Sequence, residues 1–103
     1  MIETEAILKC TDVTLFYRFV VPKNPRAILI IVHGVSEHGG RYLRLQRELS
    51  ELGFAVFAYD QRGFGKSTGR RTYAAHYTDF LNDLKEIIDT AKITNGETIL
   101  LSV

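Results

Sequence analysis

An unbroken apolar run, Ala27 to Val32, ends in His33-Gly34 and opens onto the polar stretch Val35-Ser-Glu-His-Gly-Gly-Arg-Tyr42. Continuous Ile, Leu and Val mark a strand covered on both faces, as in the parallel sheets of α/β proteins. The loop leaving the carboxyl end of such a strand aims backbone N–H groups at a ligand held above the sheet. Chemistry is therefore expected at the His33-Gly34 junction.

The flanking pattern supplies the rest of the architecture. Residues 3 to 9 and 13 to 20 are two β-prone runs divided by Thr11-Asp12. Val13, Leu15, Tyr17 and Phe19 alternate with Thr14 and Arg18, which predicts a half-exposed hairpin ended by Pro22 and Pro25. Tyr42, Leu45, Leu49 and Leu52 recur at helical spacing, and Gly53 provides a stop. Phe54 to Tyr59 reads as a second buried strand. A second helix is expected from about Thr78, its N-cap, along Phe80, Leu84, Ile87 and Ala91, with Asp79 and Asp83 near its positive end. Asn95-Gly96 is a turn, and Thr98 to Val103 begins a third buried strand. The order hairpin, strand, helix, strand, helix, strand predicts one α/β domain over residues 1–103, a mostly parallel sheet with helices on both faces.

Length and charge narrow the function. With 103 residues the chain is at most one small domain, and 13 Lys and Arg against 12 Asp and Glu give no bulk field toward nucleic acid or membrane. Arg62, Lys66, Arg70 and Arg71 are a local excess of positive charge, read here as a solvated loop rather than an anion site. Cys10, the only cysteine, has no internal disulfide partner, and the amino terminus carries no basic-then-apolar leader. No apolar run approaches the roughly 20 residues that span a bilayer, so a cytoplasmic, soluble protein is expected.

Several constellations are weighed on spacing. Gly65-Lys66-Ser67 invites a phosphate loop, but that motif needs glycine at position 60, where Asp60 stands. A dinucleotide fingerprint from Gly63 would need glycine at position 68, where Thr68 stands. His33 has neither His38 nor His76 at metal-ligand spacing, so no metal site is expected and His33 reads as an oriented structural histidine. The better functional candidate is the Val35 backbone N–H, placed to face a developing oxyanion. Ser102 fails as a nucleophile because Leu100 occupies the glycine position of G-x-S-x-G, which leaves it a strand residue.

His33-Gly-Val-Ser-Glu-His-Gly-Gly-Arg-Tyr42 followed by Tyr59-Asp-Gln-Arg-Gly-Phe-Gly-Lys-Ser67 resembles the α/β-hydrolases, and within them the monoacylglycerol lipase and lysophospholipase group of serine aminopeptidase type. The resemblance implies that Val35 donates one of two oxyanion bonds, supported by His33, Gly34, Glu37, His38 and Arg41. It implies a structural role for Asp60, Arg62, Gly63, Gly65 and Ser67. It also implies a serine mechanism that needs no cofactor or metal, acting on a small ester or lipid, with the nucleophile, triad acid and triad histidine all beyond Val103. Residues 1–103 are thus expected to be the amino-terminal portion of a serine hydrolase, inactive alone. The alternative is a non-catalytic module that self-associates through an exposed strand edge.

Overall fold

The computed structural model describes residues 1–33, 42–69, 77–92 and 97–102. The element order is β1 (Ile2–Lys9), β2 (Thr14–Val21), β3 (Ala27–Val32), α1 (Leu43–Glu51), β4 (Phe54–Tyr59), α2 (Tyr77–Ala91) and β5 (Glu97–Ser102). One five-stranded sheet runs β1-β2-β4-β3-β5, antiparallel over β1, β2 and β4 and parallel over β4, β3 and β5.

Alternate residues of the same strands enter two cores. Ile28, Ile30, Ala55, Phe57 and Tyr59 pack with Leu15 and with Ile87 and Ala91 of α2. Leu29, Ile31, Val56 and Ala58 face the other way, against Leu45 and Leu49 of α1. The sheet is therefore covered on both faces, which is why β3 and β4 contain no polar residue. On the α2 side Tyr17 and Phe19 of β2 stack on each other and on Phe57 of the neighbouring β4, with ring centroids 5.3 to 6.4 Å apart.

Two details of the helices differ from the sequence reading. Leu52 is the C-cap of α1 and 63% exposed, so it stands off the core stripe. Gly53, at φ 101°, turns the chain where the helix stops, a conformation other residues rarely adopt. Thr78 lies inside the first turn of α2 and not at its N-cap, since the helix already includes Tyr77. The Asn95-Gly96 turn falls outside the described residues.

Candidate active site

The winding of the chain reverses about β3. Through α1 it passes from β3 to β4 on one side, and through α2 on the opposite face it returns to β5 on the other side. Ligands of open α/β sheets bind at such a reversal, outside the carboxyl ends of the strands. Here those ends are Val32 and Ser102, which are paired in register. Ser102 is a strand residue, as its sequence context requires.

His33 follows directly. It is 3% exposed, and its Nε2 accepts the backbone N–H of Gln61 at 2.9 Å. The Gln61 side-chain amide donates to the His33 carbonyl oxygen at 2.7 Å. Phe64 packs edge-on against the imidazole, with centroids 5.6 Å apart. His33 is thus held on its ring and on its backbone by one turn. Gly34, Val35, Glu37, His38 and Arg41 lie outside the described residues, as do Arg70 and Arg71.

The glycine-containing segment from Asp60 to Gly69 is that turn. Gly63 and Gly65 sit at φ 79° and 52°, in the left-handed region that favours glycine. The segment doubles as a partner for the upper half of β2, which β4 does not reach. Phe16 N–H donates to Ser67 Oγ at 2.8 Å, Thr14 N–H to Thr68 Oγ1 at 2.7 Å, and Thr68 N–H to the Thr14 carbonyl at 2.9 Å. Ser67 Oγ in turn donates to the Asp60 carbonyl. The Asp60 carboxylate accepts the Lys66 N–H at 2.9 Å, closing the loop on itself.

Arg62 anchors the turn to the rest of the molecule and is not a solvated charge. Its Nε and one terminal nitrogen meet Asp83 of α2 at 2.7 and 2.9 Å, and its terminal nitrogens meet Asp12 of the β1–β2 turn at 3.0 and 3.2 Å. Asp79 stands 3.8 Å away. These bonds, led by Asp83, push the guanidinium further above its already high range, so the charge is permanent. The same pairing holds the Asp12 carboxyl below the usual carboxylate range. Burial, helped by Asp83, raises the phenol of Tyr59 beneath this cluster. The sequence offered a signal for Arg62 in the acids Asp79 and Asp83, but it gave Gln61 no distinguishing mark.

Residues 23–102 match the family model described as "Serine aminopeptidase, S33". The chain is 38% identical to human monoglyceride lipase over 77 residues, which are 74% of this chain and 25% of that protein. It is 43% identical to vaccinia virus protein K6 over 47 residues, 46% of this chain and 58% of that one. Among solved structures, a soluble variant of monoglyceride lipase from Saccharomyces cerevisiae in complex with a substrate analogue superposes with a TM-score of 0.80 at 22% identity, covering 99% of this chain and 34% of that one. The chain spans about a quarter of the monoglyceride and monoacylglycerol lipases it matches, 24 to 26% of their length. The family match extends over most of the chain, from the end of the hairpin through β5, and the fold agrees with it: the chain belongs to the serine aminopeptidase S33 family of α/β-hydrolases.

Proposed function

We propose that residues 1–103 supply the oxyanion side of a serine hydrolase acting on carboxylic esters of the monoacylglycerol or lysophospholipid class, and that its acyl-transfer serine, acid and histidine are not among them. The observation that carries this reading is the pairing of Val32 with Ser102, which sets the carboxyl ends of β3 and β5 side by side beneath the immobilised His33. A loop leaving β3 there can offer the Val35 N–H to an ester oxygen as it turns negative. A nucleophile entering just after β5 would reach the same carbonyl. In that mechanism serine attacks the ester, the alcohol leaves, and water releases the acyl group. Each oxyanion donor contributes about 10² to 10³ in rate, yet without a nucleophile there is no acyl-enzyme to stabilise. The lipid class is suggested by the monoglyceride lipases the chain is similar to. A cytoplasmic setting is supported by the single, unpaired Cys10.

A fluorophosphonate probe tests the reading. The complete polypeptide carrying these residues is expected to hydrolyse a monoacylglycerol and take up the probe on one serine, whereas residues 1–103 alone remain unlabelled. Labelling of Ser102 in the short chain would overturn it.

A second reading has its own support, the non-catalytic module. In the sheet order β5 is terminal, and Ile99 is 46% exposed on it. Protein K6 is a short relative, since the 47 matched residues are 58% of its length. An apolar terminal strand without a charge at its centre is a template for pairing with a second copy. Sedimentation of residues 1–103 would then show a dimer that Ile99→Lys converts to monomer; a strictly monomeric wild-type chain removes this reading.

A further inference from the structure

We infer that Gln61 is a positioning residue for the oxyanion donor, an inference that rests on the ester-hydrolase reading above. The sheet ladder holds β3 only as far as Val32, which pairs with Tyr59 on one side and Ser102 on the other. His33 is the first residue beyond it, and Gln61 takes over there with two bonds of different kinds. The backbone N–H of Gln61 donates to His33 Nε2 at 2.9 Å, and its side-chain amide donates to the His33 carbonyl at 2.7 Å.

Each bond has a chemical consequence. An Nε2 that accepts a proton donor places the proton of the neutral imidazole on Nδ1. The ring is therefore committed to one tautomer as well as to one orientation, with Phe64 against it. The carbonyl belongs to the planar peptide group joining His33 to Gly34, so holding its oxygen fixes the plane from which the chain departs toward Val35. Gln61 itself is anchored, because its own carbonyl accepts the Phe64 N–H at 2.9 Å inside the glycine turn. A neutral side chain with an N–H donor at this reach satisfies the His33 carbonyl without adding charge. Glutamate would set a charge against it, and methionine keeps the length without the donor.

Because Gln61 touches the path of the backbone and not the substrate, its loss is read in turnover and not in binding. Misplacement by about 1 Å at a reacting centre costs on the order of 10²-fold in rate. Loss of the bond to the His33 carbonyl is expected to cost about 10-fold in kcat by the same geometric sensitivity. The experiment uses the complete polypeptide carrying residues 1–103, with kcat expressed per serine titrated by a fluorophosphonate so that unfolded molecules drop out. In Gln61→Met, kcat per titrated site is expected to fall about 10-fold while KM stays within about twofold. Gln61→Asn, which keeps the amide but shortens its reach, serves in the same way if Gln61→Met does not fold. The ¹³C resonance of the His33 carbonyl should move in either variant, and the wild-type ring should show ¹⁵N shifts of the Nδ1–H tautomer. An active wild-type protein whose kcat is unchanged by these variants overturns the inference alone. A wild-type protein that hydrolyses no ester overturns the functional reading, and this inference with it.

Discussion

Removing the Arg62 guanidinium would leave Asp83, whose side chain is 4% exposed, as a buried carboxylate without its counter-charge. Breaking a buried pair by deleting one partner typically costs about 3 to 5 kcal/mol, far more than the pair itself contributes over an apolar replacement. Arg62→Met is expected to lower the stability of residues 1–103 by about 3 kcal/mol in urea denaturation, by the same reasoning. Arg62→Lys should fall between, because an ammonium keeps the charge but cannot fork to Asp83 and Asp12 together. If Arg62→Met lies within about 1 kcal/mol of wild type, the surface-pair range, Arg62 is not the anchor described here. Tyr59, below the same cluster, makes a separate prediction. Its phenol is raised from the ordinary value of 10.0 by burial and by Asp83, so the fold favours the neutral form. Its contribution is complete below pH 10 and is lost as the pH rises above that, so alkali should destabilise the chain. In a spectrophotometric titration, Tyr59 should ionise only as the chain unfolds. Tyr59 ionising while the chain is still folded would contradict this.

At the scale of elements, α1 shows how far a periodic pattern reaches. The leucine stripe places Leu45 and Leu49 against Leu29, Ile31, Val56 and Ala58, as its spacing predicts. The same buried face carries Gln46 and Ser50, one turn apart, which hydropathy alone assigns to solvent. Their burial has a reason visible only in three dimensions. The Gln46 amide nitrogen donates at 3.0 Å to the carbonyls of Arg18 on β2 and Val56 on β4, bridging two strands, while Ser50 Oγ donates to Val20 at 2.7 Å. These partners lie 10 to 30 residues away in the chain, so no local pattern reveals them. Gln46→Met, similar in length but without a donor, is expected to cost about 2 kcal/mol, since a buried acceptor left unsatisfied costs roughly 1 to 3 kcal/mol. Ser50→Ala should cost about 1 kcal/mol on the same grounds. Urea melts of the two variants check this. Wild-type stability in Gln46→Met would mean that apolar packing alone seats the helix. The glycine turn gives a parallel case. Gly63 and Gly65 announce a turn, but the pairing of Ser67 and Thr68 with β2 across some fifty residues is silent in the sequence.

Across the whole molecule, the two halves of the sheet are held by different forces. Strands β3 and β4 are buried on both faces and were legible as continuous apolar runs, because such strands need no alternation. Strand β1 buries little, and only Ala6 and Leu8 are even half-covered. Besides its ladder with β2 it is tied down by charge, Glu3 to Arg47 of α1 at two distances of 2.8 Å and Glu5 to Arg18 of β2. Asp12, in the turn that follows, is held by Arg62. Hydrogen bonds from these arginines depress all three carboxyls, from ordinary values of 4.5 for the glutamates and 3.8 for Asp12. A depressed carboxyl stabilises the fold in full above its unfolded value and loses that contribution as the pH falls through its folded value. Acid should therefore loosen this end first. Below pH 4.5 the clamps on β1 begin to go, while the core of β3 and β4 holds no carboxylate to protonate. Exposed pairs contribute little each, so the effect is a change in order of unfolding and not collapse. Amide exchange measured between pH 5 and 3 should show β1 losing protection ahead of β3 and β4, and Glu3→Gln with Glu5→Gln should reproduce that order at neutral pH. Uniform loss of protection along all five strands would instead mean that β1 belongs to the same cooperative unit as the buried strands, its charges notwithstanding.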